Sequence, residues 1–121
     1  MPATRTEVRR IVIVGRDLMA ATRIADAAVA AGYEAARVDG PELLPSPSDI
    51  GLAFVDWDDR QSGWGQDLRR WRDAAGDSGA RVLLFGSHRD VAGHREARAC
   101  GIGPVLARSK LFVSLPSLLR G

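Results

Sequence analysis

A chain of 121 residues with 45% apolar and 26% charged residues is long enough to form one domain around its own core. Its formal net charge of +2 is small, no run approaches the roughly 18–20 apolar residues of a membrane span, and the single cysteine, Cys100, excludes an internal disulfide or a multi-cysteine metal site. Sixteen of the 17 basic residues are arginine, with Lys110 the only lysine. They are scattered among 15 acids rather than gathered in a run, which reads as a compositional habit and not as a nucleic-acid patch. No signal-peptide pattern precedes the first apolar run, so the cytoplasm is the expected compartment.

Residues 1–7 are polar and carry Pro2, which predicts a loose tail ahead of one domain over 8–121. Ile11-Val12-Ile13-Val14 predicts a buried first strand at about 8–14, followed by a turn at Gly15-Arg16-Asp17 with Asp17 as a helix N-cap. The helix runs over about 18–31, with Ile24, Ala28 and Ala31 as its buried stripe and Gly32 as its stop. The weaker stretch 34–38 predicts an edge strand. Pro45 and Pro47 then force extended backbone and leave room for one helical turn at most, so the second crossover helix is truncated.

The third strand, 52–56, is apolar until it ends on Asp56, with Asp58 and Asp59 close behind. A helix over about 64–75 places Trp64, Leu68 and Trp71 on one buried face, and Arg69, Arg70 and Arg72 toward solvent. Residues 76–79 predict a turn, 81–85 the fourth strand and 86–89 a loop. Asp90 caps a helix to Cys100 that Gly101 stops, 105–107 is the fifth strand, and the last helix covers about 111–119, interrupted or restarted at Pro116. Strands alternating with helices in this way argue one doubly wound α/β sheet. Sites in such sheets form beyond the carboxyl ends of the strands, which is where Asp56 stands.

Several strings carry a resemblance: Ile11 to Val14 before a turn, Ala31-Gly32-Tyr33-Glu34, Leu52 to Asp56, Gly86-Ser87-His88-Arg89-Asp90, and Ala97-Arg98-Ala99-Cys100-Gly101. In this order and spacing the chain, over about 11–119, is similar to the receiver domain of bacterial response regulators. The resemblance implies a flavodoxin-like five-stranded parallel sheet of order 2-1-3-4-5. It also implies a phosphorylation pocket built from an acidic pair after strand one, an acceptor aspartate after strand three, a hydroxyl after strand four and a lysine after strand five. A carboxylate that accepts a phosphoryl group needs a divalent cation and fixed donors, because the transferred group is strongly anionic. Mg²⁺ suits that task and takes oxygen ligands.

Carried onto this chain, the acceptor falls on Asp56, while the acidic pair falls on Gly15 and Arg16, with Asp17 one residue later. The hydroxyl falls on Gly86, with Ser87 beside it, and the lysine on Arg108; Lys110 comes nearer only if strand five outruns its apolar residues. Val105 replaces the family's reporter aromatic, and Ser109 the proline after its lysine. The chain thus resembles a degenerate pseudo-receiver. The resemblance implies a non-enzymatic signalling module that acts through protein–protein interaction, holds no cofactor and is not switched by ordinary Mg²⁺-dependent aspartyl phosphorylation. Arg16 is expected to pair with Asp56, Asp58 or Asp59 and so replace the metal's charge. The face made by the helix after strand four, strand five and the last helix, with Arg95, Arg98, Val105 and Lys110, is expected to meet a protein partner or a second copy, and neither membrane nor nucleic acid.

Two other readings stand beside this one. In the first, Asp56 accepts phosphate while Asp17 and Asp58 or Asp59 hold Mg²⁺. In the second, the turn at Gly15 and the acid Asp39 form a small nucleotide- or ligand-binding site, although Arg16, Asp17, Leu18 and Met19 fill the places of a glycine-rich loop. His88 and His94 lack co-ligands at zinc spacing. Cys100 reads as a packing residue, and Ser87 lacks the glycines of a nucleophile elbow.

Overall fold

A computed structural model describes residues 10–76 and 80–120. The expected tail at 1–7 and most of the expected turn at 76–79 lie outside the described residues. The elements run β1 (Arg10–Val14), α1 (Leu18–Ala30), β2 (Glu34–Val38), β3 (Leu52–Asp56), α2 (Trp64–Ala74), β4 (Arg81–Gly86), α3 (Val91–Ala99), β5 (Val105–Ala107) and α4 (Arg108–Arg120). All neighbouring strands pair in parallel, in the order β2-β1-β3-β4-β5. This is the flavodoxin-like order expected from the strings above.

Neighbouring residues of a strand point to opposite faces, so each apolar run supplies two layers at once. Ile11, Ile13, Leu52, Phe54 and Phe85 pack against Ala20, Ala21, Ile24 and Ala28 of α1 and Leu111, Leu115 and Leu119 of α4. On the other side Val12, Val14, Val55, Leu84 and Val105 meet Trp57, Trp64 and Leu68, together with Ala97 and Ile102. A strand buried on both faces has no polar side to spare, which is why β3 is apolar up to its last residue. Its register sets Asp56 beside Phe85 of β4, at the carboxyl edge of the central strand.

The structure differs from expectation at element ends. Ala31 is exposed as the C-cap of α1, and the buried stripe is completed by Ala20 and Ala21 instead. Between β2 and β3 the chain makes only two 3₁₀ turns, Pro41–Leu43 and Pro47–Asp49, each opened by a proline. The molecule therefore has four α-helices among its described residues. The last helix begins at Arg108, three residues early, and runs through Pro116 without a break. Leu111, Leu115 and Leu119 anchor it against α1, and that burial outweighs the donor missing at the proline. Trp71 is only half-buried and donates its indole N–H to Pro45 O at 2.7 Å. Trp57, expected in a loop, is buried instead and donates to Gly93 O at 2.7 Å, tying the end of β3 to α3.

Candidate functional site

Four chain segments converge where β1, β3, β4 and β5 end. After β1 the backbone turns at Gly15 with φ 139°, and a side chain there would sit 2.8 Å from Asp56 Cβ. Only glycine meets both demands, so the turn presses directly on Asp56. Asp17 then caps α1, its Oδ1 accepting from the N–H groups of Met19 at 3.1 Å and Ala20 at 3.2 Å. Asp56 caps in the same way the 3₁₀ turn Trp57–Asp59, accepting from Asp58 N at 3.1 Å.

The centre of this edge is a guanidinium. Arg108, the first residue of α4, donates from Nη2 to Asp56 Oδ1 at 2.6 Å, from Nε to Asp58 Oδ2 at 3.0 Å, and from Nη1 to Asp17 Oδ2 at 3.5 Å. Its Cζ lies 5.2 Å from the centroid of the Phe85 ring. Asp58 is held from its other oxygen by Ser87 N at 2.9 Å, and a side chain at Gly86 would meet that oxygen at 2.7 Å. Gly86 is therefore the space into which Asp58 folds. The Ser87 hydroxyl is turned into its own loop, where it accepts from Arg89 N at 3.1 Å.

Asp56 is only 3% exposed, the one buried charged residue among those described. Burial pushes its carboxyl above the ordinary carboxylate range, and the hydrogen bond and charge of Arg108 pull it partly back. Burial works against the charge on Arg108, but the contacts with Asp56 and Asp58 outweigh it and hold the guanidinium above its usual value. Arg16 has a different partner. Its backbone N–H, Nε and Nη2 all reach Asp59, at 3.1, 3.3 and 3.2 Å, and the hydrogen bond to Asp59 raises its pKa. Of the three acids expected to receive Arg16, Asp59 is the one it takes. The cation on Asp56 is Arg108, because α4 starts early enough to lay its first side chain across the edge.

A divalent cation does not fit these residues as arranged. The carboxylates of Asp17, Asp56 and Asp58 point at one place, and the guanidinium of Arg108 fills it. No group of three or more His, Cys, Asp or Glu among the described residues is arranged to hold a metal. Several groups that the nucleotide reading would use are engaged within the chain. The N–H groups at the start of α1 are taken by Asp17, those of Gly15 and Arg16 by Val38 O and Asp59, and Asp39 by Arg37 at 2.6 Å. An open, polar cleft of about 330 Å³ lies beside the site, lined by Asp58, Arg60, Gln61, Ser62 and Glu96.

Sequence reasoning missed Arg60. It donates to Asp90 at 2.6 Å, Glu96 at 3.0 Å and Trp57 O at 3.0 Å, and its Cζ lies 5.3 Å from the Trp57 ring, so it clamps the end of β3 to α3. Of the residues expected on a partner-facing surface, Arg95, Arg98 and Lys110 are exposed. Val105 is the correction: it is 8% exposed and packs in the core against the α2–α3 side of the sheet. Inward-facing alternation on β5 decides this.

No protein-family model matches the sequence, and no curated protein matches it. Solved structures do match in shape. A crystal structure from Burkholderia pseudomallei assigned to a pilus assembly-related protein superposes with a TM-score of 0.70 at 14% identity, covering 99% of this chain and 92% of that one. A CheY-like response regulator receiver domain protein from Methanospirillum hungatei gives 0.67 at 14% identity, covering 93% and 94%. An orphan response regulator of H. pylori gives 0.66 at 15% identity, covering 94% and 92%. With its five parallel strands in the order 2-1-3-4-5 and Asp56 at the tip of the central one, the chain has the fold of response-regulator receiver domains.

Proposed function

We propose that this chain is a degenerate receiver-like signalling module that works by presenting a fixed surface to a protein partner, without catalysis, without a resident cofactor and without standard Mg²⁺-dependent phosphorylation of Asp56. One observation carries the reading: the Arg108 guanidinium lies on Asp56, Asp58 and Asp17 together. A receiver's switch begins when a phosphoryl group and its cation arrive at the acceptor carboxylate. Here Oδ1 of that carboxylate already accepts two hydrogen bonds, one of them from a guanidinium, and Gly15 packs against the Asp56 side chain. For a cation to reach Oδ1, the Arg108 guanidinium would have to be drawn off it, breaking a charge-assisted bond of 2.6 Å at a buried carboxylate.

The test is incubation with acetyl phosphate and Mg²⁺ followed by intact-mass measurement, with Asp56→Asn as control. The expected result is an unmodified protein. A stoichiometric phosphoryl adduct that requires Mg²⁺ and disappears in Asp56→Asn would overturn the reading and make Asp56 a working acceptor.

A further inference from the structure

The sheet has one long edge that nothing among the described residues covers. β2 ends it on one side with five residues, Glu34–Val38, whereas β5 ends it on the other with only three, which pass straight into α4. Val38 O faces β1, on the side where it accepts from Gly15 N at 2.9 Å. Backbone groups alternate in direction along a strand, so the N–H and C=O of Ala35 and Arg37 point away from the sheet, and no described residue pairs with them. Open edges are ordinarily blunted by proline, lysine, a bulge or a covering element. β2 has no proline or lysine, and its register with β1 is unbroken from Arg10↔Glu34 to Val14↔Val38. Its two charged side chains lean back over the sheet, Glu34 to Arg10 of β1 at 3.0 Å, and Arg37 to Gly15 O at 2.8 Å and Asp39 at 2.6 Å. Two 3₁₀ turns stand where a crossover helix would, so Ala36, on the same face as Val38, is exposed. The chain that forms and follows this edge is acidic: residues 34–50 hold Glu34, Asp39, Glu42 and Asp49 against Arg37 alone, in a protein of net charge +2. The Glu42 carboxylate folds back over Gly40, two residues beyond the end of β2, and forms no ion pair among the described residues.

Resting on the functional reading above, which asks for a protein partner, we infer that β2 takes up an extended basic segment of another protein as an added strand. Its backbone pairs with Ala35 and Arg37, and its lysines or arginines meet Glu34 and Glu42. In this mode of recognition the main-chain bonds supply attachment, and the side chains on either face supply the choice of partner. The small side chains of Ala35 and Ala36 leave the incoming strand room on both faces. A helix laid against β2 would make no use of the outward N–H and C=O groups, so an extended segment is the better fit. A second copy pairing β2 with β2 about a two-fold axis would bring two acidic segments together, which disfavours a homodimer. The same negative charge disfavours nucleic acid.

The experiment is an amide-shift titration of the ¹⁵N-labelled protein with a short synthetic peptide that alternates lysine with valine and threonine. One comparison peptide has the same side chains but N-methyl groups on alternate backbone amides, which removes its strand pairing and keeps its charge; another has glutamate for every lysine. The expected footprint centres on Ala35, Ala36 and Arg37, with the Ala35 and Arg37 amides protected from solvent exchange in the complex, and both comparison peptides bind on the order of tenfold more weakly or worse. Ala35→Pro removes an outward N–H that β2 does not use in its own sheet, and it weakens binding to a similar extent. The exposed double variant Glu34→Lys/Glu42→Lys, which leaves the edge backbone intact, does the same through charge. Equal binding of the parent and N-methylated peptides, equal binding of the acidic peptide, or a footprint away from β2 overturns the inference, as does a dimer seen in sedimentation that Ala35→Pro dissolves. The functional reading fails separately. A phosphoryl adduct on Asp56 would sink it with the β2 footprint intact, whereas an inert Asp56 with no footprint on β2 sinks the inference alone.

Discussion

Asp56 and Arg108 form an ion pair in which one partner is buried and the other, with its side chain 31% exposed, reaches solvent. Removing the cation strands a buried carboxylate, a loss of about 3–5 kcal/mol for a fully buried pair. Exposure of Arg108 lowers the expectation to about 2 kcal/mol for Arg108→Gln, read from urea unfolding. Because the folded pKa of Asp56 is raised above its unfolded value, the native state takes up this proton first as pH falls. Asp56 therefore favours folding more as pH drops through the interval just above the ordinary carboxylate range. Asp90 runs the other way: the Arg60 hydrogen bond lowers its pKa, so its contribution is present at neutral pH and is lost as pH falls through the folded value. In Arg108→Gln the restraint on Asp56 is gone, so the deficit against wild type narrows on acidification; a deficit independent of pH would contradict this pairing. Asp56, Gly15 and the position of Arg108 were legible in the sequence. Which guanidinium meets which acid was not, because the pairs lie 43 and 52 residues apart and only the start of α4 decides whose side chain spans the edge.

The strands were legible because a run buried on both faces has a composition nothing else requires, and β1, β3, β4 and β5 fall where their apolar runs do. Helix ends were less so. Proline at 116 argued for a break, yet the leucine stripe of α4 holds the helix together across it. An interior proline costs about 3 kcal/mol against alanine, and Pro116 is exposed, so Pro116→Ala should raise stability by about 1–3 kcal/mol. An unchanged or lower urea midpoint would show that the helix has adapted to the ring. Trp57 was hidden for another reason: a tryptophan set between Asp56 and the pair Asp58-Asp59 looks like a loop residue, and only the fold brings the Gly93 carbonyl to its indole. Trp57→Phe keeps most of the packing but removes the indole donor, a loss of about 1 kcal/mol. It should also loosen the β3–α3 junction, seen as faster amide exchange in α3.

At the scale of the molecule, the order of strands survives at 14–15% identity to proteins of quite different description, among them pilus-assembly and orphan-regulator structures. Such a fold fixes where a site lies but not what it does; the side chains at the carboxyl edge decide that. Here the carboxylates of Asp17, Asp56 and Asp58 surround the Arg108 guanidinium. On the reading proposed above, the guanidinium occupies the place that a phosphoryl group's cation would need. The most direct measurement is an amide correlation spectrum taken with Mg²⁺ before and after adding beryllofluoride, a mimic of an aspartyl phosphate. A pocket closed by Arg108 predicts an unchanged spectrum in the wild-type protein. Saturable, Mg²⁺-dependent shifts centred on Asp56, Ser87 and Arg108 would contradict it and show that the guanidinium yields to metal and phosphate.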